Sequence, residues 1–148
     1  MAVSAGARQD TYKVTVSAQL APGGAATWIG TFDTHSGGER SATDTKHRPG
    51  GSADEISYGG PASRGNVTLS RVFDAVKGDT ALYKKLDSMV GRARVVITQQ
   101  PLDADMIPFG DPIVRTGTLI RVTGPATDSN ATGVTMLELE VSTSGGLG

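Results

Sequence analysis

The chain has 148 residues, 14 Lys and Arg against 15 Asp and Glu, a net charge of −1 and no cysteine. That length suits one domain, and the missing cysteines exclude disulfides, thiolate metal sites and cysteine nucleophiles. Near-neutrality gives no whole-chain case for tight nucleic-acid binding, while 37% apolar residues beside 20 glycines imply long loops or a core completed by partner subunits.

The start, MAVSAGARQD, lacks the basic-then-apolar order of a secretory signal, and no run approaches a membrane span, so folding in a cytoplasm is expected. Tyr12, Val14, Val16, Ala18 and Leu20 alternate with polar residues, the period of a half-buried strand. APGG over 21–24 reads as a turn and TWIGTFD over 27–33 as a second strand. Residues 10–33 are therefore expected to form a β-hairpin. Trp28 fits either a core or an interface.

Residues 34–61 carry three Gly-Gly pairs and two prolines, which predict a long irregular loop. Its charges are mixed, with Asp33 at its edge and Glu39, Asp44, Asp54 and Glu55 within it set against Arg40, Lys46 and Arg48. NVTLSRVF over 66–73 returns to strand, with Val67, Leu69 and Phe73 on one side. A helix is predicted over 79–90, capped by Asp79 or Thr80 and closed by Gly91, with Leu82, Leu86 and Met89 on its apolar face.

Three more strands are predicted within 93–143, over 93–100, 113–123 and 134–143. In the second, Arg115, Arg121, Ile113 and Leu119 share one face, and Val114, Ile120 and Val122 the other, as in a strand covered on both sides, with a neighbouring subunit expected as the second cover. In the third, Leu137, Leu139 and Val141 face opposite to Met136, Glu138 and Glu140. Residues 144–148 read as a flexible tail. This order lacks regular β-α alternation, so the expected fold is an antiparallel β-sandwich or barrel with one flanking helix.

Little in the sequence carries chemistry. His35 and His47 lack metal-ligand spacing and read as solvated loop histidines. Asp103 and Asp105 resemble the start of a calcium loop without its glycine and terminal glutamate, which favours turn stabilisation. Glu138 and Glu140 put two carboxylates on one strand face, which suits a solvated wall better than acid–base work. Lys84, Lys85, Arg92 and Arg94 cluster near the helix end, where cations favour the helix dipole. Phosphate-binding and nucleophile-elbow motifs are absent, so neither an enzyme nor a bound cofactor or metal is expected.

The ordered set DTKHRPGG (44–51), the Gly-Pro at 60–61, NVTLSRVFD (66–74), ALYKKLDSMV (81–90), QPLDAD (100–105), DSN (128–130) and MLELE (136–140) resembles the tail tube proteins of long-tailed bacteriophages. The likeness spans about residues 10 to 143. It implies homohexameric rings in which sheets of neighbouring subunits join into one inner β-barrel. It further implies stacking of the rings into a hollow tube for genome passage, as in contractile injection and type VI secretion machines.

By that resemblance the segment 34–61 reaches a neighbouring subunit or ring, with Lys46, His47, Arg48, Pro49, Gly50 and Gly51 in the ring-stacking contact. Glu138, Glu140, Thr15, Ser17 and Gln19 would suit a polar lumen wall, a placement that Lys13 on the same face weakens. The expected partners are further copies of the chain, a sheath, a terminator and baseplate or tape-measure proteins. Genomic DNA passes transiently and no membrane is involved, so the expected location is the tail of a virion assembled in the host cytoplasm. A tube initiator or adaptor is the alternative, and a soluble β-sandwich binding module a more distant one.

Overall fold

The computed structural model describes residues 11–19, 24–51 and 53–147. Leu20, most of the turn expected over 21–24, the opening residues, Ser52 and Gly148 lie outside them. Nine strands and one helix follow in chain order. They are β1 (Tyr12–Gln19), β2 (Ala26–Phe32), β3 (Thr34–Gly37), β4 (Arg40–His47), β5 (Ile56–Arg64), β6 (Val67–Val72), α1 (Asp79–Ser88), β7 (Arg94–Pro101), β8 (Ile113–Thr123) and β9 (Met136–Thr143). Seven strands form one antiparallel sheet in the order β2-β1-β7-β8-β9-β6-β3, and β4 pairs with β5 alone.

Period-two patterning builds this sheet. Val14, Val16 and Ala18 on β1, Val95 and Ile97 on β7, and Leu137, Leu139 and Val141 on β9 are all buried. Their alternating neighbours face away from the core. The two ends of the sheet, β2 and β3, are consecutive in sequence and joined by Asp33. The sheet therefore rolls until its ends approach, with no ladder pairing β2 to β3 among the described residues. The Asp33 amide donates to the Ser70 carbonyl at 3.0 Å, and the Asp33 carboxylate accepts from the Val72 amide at 3.2 Å.

Where β2 and β6 approach, a side chain substitutes for a ladder. Arg71 Nη1 donates to the Ile29 carbonyl at 2.9 Å, and its guanidinium lies 5.1 Å from the centre of the Phe32 ring. Gly30, at φ +129°, leaves room for that arginine, since a Cβ there would sit 2.3 Å from Arg71 Nη1. Arg71 Nη2 pairs with Asp79 at 2.6 Å, and Asp79 also accepts from the Asp74 amide at 2.7 Å. This fixes the first turn of α1 to the roll.

The expectation that Asp79 or Thr80 caps the helix is corrected. Gly78, in the left-handed region, occupies the cap position without a side-chain bond, because the Asp79 carboxylate is committed to Arg71 and Asp74. The apolar face is as read: Leu86 is buried and Leu82 and Met89 pack against the same core. Gly91, at φ +86°, turns the chain out of the helix and donates to the Leu119 carbonyl at 2.7 Å. Arg92 donates back to the Ser88 carbonyl at 2.7 Å, the end-of-helix role expected of the basic cluster.

The largest correction concerns residues 34–61, read as an irregular loop. They form β3, β4 and most of β5, and the β4–β5 pair is an antiparallel hairpin that extends the β3–β6 pair. Gly38 donates to the Asn66 carbonyl at 3.1 Å and Gly65 to the Glu39 carbonyl at 2.8 Å, so the ladder continues across the joint. Neither face of the hairpin is buried, so its sequence needs no hydrophobic alternation. Gly59, Gly60 and Pro61 fall where the register shifts between Ala42 and Asp44, a bulge in a two-stranded ribbon that tolerates proline.

A second bulge revises β8. The register shifts between Leu119 and Arg121, so Leu119 opposes Val141 while Arg121 opposes Glu140. Strict alternation put Arg121 on the Leu119 face; the extra residue turns it outward and leaves Val122 packed on the core. Ile120 is exposed on the outward side of β8, the side whose cover is expected from a neighbouring subunit.

Candidate assembly surfaces

The β4–β5 arm is the most exposed regular structure in the chain. Every residue of β4 is exposed, and β5 is exposed up to the half-buried Arg64. The register aligns Ile56 with His47 and Tyr58 with Thr45, which gives the ribbon one partly apolar face. Asp44 accepts a hydrogen bond from Ser57 on the other. Lys46 and His47 end β4, while Arg48, Pro49, Gly50 and Gly51 form the tip. Two-stranded ribbons are marginal in water without a packed face, so an arm of this kind calls for cover from outside its own fold.

The outward face of the sheet is a second continuous surface. Pairing places Thr15 opposite Thr98, Ser17 opposite Val96 and Gln19 opposite Arg94. Glu140 and Glu138 on β9 oppose Thr68 and Ser70 on β6. All five residues proposed for a polar wall thus lie on this one face, together with Lys13. The two glutamates are not a bare acidic patch: Arg121 Nε meets Glu140 at 2.8 Å, its Nη2 lies 4.0 Å from Glu138, and Asn66 donates to Glu140 at 3.1 Å. Trp28 belongs here as well, opposite Ser17 and 63% exposed, rather than in the core. It borders a groove lined by Ile29, Asp33, Arg71, Val72 and Asp74.

The two histidines part company. His47 is exposed on the arm, whereas His35 is not the solvated loop residue expected. It sits on β3 opposite Leu69 and points inward, half-buried beside Arg115 of β8. Burial, and secondly the Arg115 charge, hold its imidazole below the ordinary value. Burial and the nearby Arg64 likewise push Arg115 down. Arg64 Nη1 donates to the Gly38 carbonyl and its Nε to the Gly145 carbonyl, both at 3.0 Å, tying the arm root to residues after β9. Sequence reasoning missed this cluster because its members lie on three strands far apart in the chain.

The His35 shift has a pH consequence. An imidazole held neutral in the fold takes its proton more readily when unfolded, so stability is present above the ordinary value of 6.5 and falls as pH drops through it. Urea unfolding at about pH 7.5 and about pH 5, either side of the imidazole range, should show a smaller pH-driven loss in His35→Gln than in the native chain. Equal losses in both would contradict the assignment.

The remaining candidates serve turns. Asp103 accepts from the Asp105 and Ile107 amides, both at 2.9 Å. Among the described residues no cluster of His, Asp and Glu has the makings of a metal site, and no helix is long and apolar enough to cross a membrane.

No family model matches the chain, and no curated protein matches it either. Solved structures do. A chain of the anti-feeding prophage baseplate superimposes with a TM-score of 0.72 at 17% identity, covering 97% of this chain and 95% of that one. The fold is shared with contractile injection particles. A chain of the PVC sheath-tube complex in its extended state gives 0.67 at 15% identity, covering 96% and 90%. A chain of the PVC sheath/tube terminator gives 0.66 at 17%, covering 99% and 97%. These likenesses establish the fold that the chain shares with chains of such particles.

Proposed function

We propose that the chain is a structural, non-catalytic subunit of a phage tail tube, in which homohexameric rings stack into a hollow channel for genome delivery. The observation that carries this reading is the solvent-exposed β4–β5 arm, built as an extension of a sheet whose fold is found in tube-bearing particles. An arm of this kind suits attachment to a neighbouring copy, with the tip residues Lys46 to Gly51 in the ring-stacking contact.

The outward sheet face would line the channel. Its Thr and Ser residues, and glutamates already engaged by Arg121, supply a polar wall on which Lys13 and Arg94 are the cations left without a named acidic partner. Counterion release keeps DNA adhesion weak when so few unpaired cations face it. Joining of this sheet to those of neighbours would complete the inner barrel. A sheath, a terminator and baseplate or tape-measure proteins are the further partners, in a tail assembled in the host cytoplasm.

A tube initiator or adaptor is the second reading, favoured by the likeness to the baseplate chain at a TM-score of 0.72. Electron microscopy of the purified protein should show stacked rings with an open centre. Single rings that never stack would favour the adaptor, and a strictly monomeric protein at high concentration would overturn both.

A further inference from the structure

We propose that the turn between β7 and β8 is a docking knob for a second copy of the chain, which receives it head to tail on the corner between α1 and β7. As a contact between stacked copies it rests on the assembly proposed above; as a pairing of two copies it stands without it.

The knob is apolar and held open to solvent. Met106, Ile107 and Phe109 share this one turn, each more than half exposed. Large apolar side chains gathered in one exposed patch mark a contact surface, and Met and aromatic residues are enriched at such contacts. Hydrogen bonds fix the display. The Asp103 carboxylate closes the turn, the Phe109 amide donates to the Pro101 carbonyl at 3.2 Å, and Gln100 Nε2 donates to the Phe109 carbonyl at 3.0 Å. Met106 stands at φ +62°, a left-handed conformation that a residue with a Cβ seldom adopts. A patch ordered beforehand loses less entropy when a partner covers it.

Charge identifies that partner. Residues 101–112 hold three acids, Asp103, Asp105 and Asp111, and no base. The other end of β7 is the reverse, with Lys84, Lys85, Arg92 and Arg94 set against Asp87, all of them exposed. Val90, also exposed, adds an apolar contact beside them. The ion pairs of the described residues join Arg71 to Asp79 and Arg121 to Glu138 and Glu140, and neither end of β7 is neutralised by them. Lys13, opposite Gln100, is a base near the knob, but it lies on the ladder and outside the turn. Lysine and arginine stems can cover Met106 and Phe109 while their charged heads reach the carboxylates.

The register supplies the geometry. Tyr12 opposes Pro101 and Gln19 opposes Arg94, so knob and corner cap opposite ends of the eight-residue strand β7. At about 3.3 Å per residue they stand roughly 26 Å apart, and one chain cannot join its own two ends. A copy displaced along the strand can. Such a contact is heterologous, and each added copy leaves a new knob and a new corner free, as a stack requires.

A zero-length carbodiimide cross-linker, which joins a carboxylate to a lysine amine only where they touch, tests the contact in the native chain. An equal mixture of unlabelled and 15N-labelled protein should yield peptides linking Asp105 or Asp111 to Lys84 or Lys85. Mixed-label pairs should be as abundant as the unmixed ones together. Charge reversal adds a second measurement, with Asp103 left in place because it holds the turn. Asp105→Lys with Asp111→Lys, and separately Lys84→Glu with Lys85→Glu, should each weaken self-association at least about tenfold, since like charges then meet. Mixing the two variants should restore it, because each knob then finds a corner of opposite sign. If either variant fails to fold, the native cross-link decides.

Tubes that form without this cross-link, from native chain and variants alike, would overturn the proposal and leave the tube reading standing. The cross-link, with association restored by mixing, in a protein that forms no rings would do the opposite. A native chain that never gives the link at any concentration shows that the two surfaces do not meet.

Discussion

Replacing Asp79 with alanine should destabilise the chain by about 3–5 kcal/mol, the loss typical when one partner of a buried ion pair is removed. The side chains of Arg71 and Asp79 are only 14% and 8% exposed, so water cannot screen the guanidinium left behind. The loss goes beyond one contact. Asp79 holds Arg71 at 2.6 Å, and Arg71 in turn bonds the Ile29 carbonyl at the point where β2 meets β6. Asp79 also accepts from the Asp74 amide, which sets the entry into α1. Urea denaturation measures the effect directly, and a loss below about 1 kcal/mol, the range of surface pairs, would show that the pair does not hold the seam. The double variant Arg71→Met with Asp79→Leu should recover part of the deficit, because it removes both charges together.

Excising the arm should have the opposite signature. Removing residues 45–58 and joining Asp44 to Gly59 through Asn-Gly should leave thermal stability nearly unchanged and abolish assembly. The hairpin is exposed along almost its whole length, so its own chain loses little buried apolar surface. What disappears is the surface offered to another copy, including Ile56 and the 53% exposed Tyr58. Thermal unfolding and sedimentation on the same sample check both halves. Rings of normal size and stacking after excision would remove the arm from the contact, and a large fall in melting temperature would show that it belongs to the fold instead.

What the sequence disclosed tracks what burial imposes on it. The alternation of β1 and β9 was legible because one face of each must enter the core, and Val14, Val16, Leu137 and Leu139 are buried as that pattern requires. Leu86 and its helix face were legible for the same reason at a different period. The arm was not, because a ribbon exposed on both faces places no hydrophobic demand on its residues, and its glycines and Pro61 read as breakers. Alternation alone puts Arg121 on the wrong face, because one bulge residue inverts every parity beyond it. Nor could spacing have found the Arg71–Asp79 bond or the His35–Arg115 approach. The first turns on a seam between strands that are not sheet neighbours, and the second on a positive-φ glycine that makes room from another strand.

The arm's continuity with the sheet decides how the molecule would bear force. β4 and β5 keep the register of β3 and β6 through the Gly38 and Gly65 hydrogen bonds while Gly37 and Gly38, at φ +91° and +81°, bend the chain at the joint, and β6 is paired along its length with β9. A pull on the tip therefore passes through that bend and enters the sheet by way of β6. There it loads the hydrogen bonds between β6 and β9 sideways and all at once, rather than peeling them one after another. A neighbour gripping the tip would be loading β6 against β9 in shear.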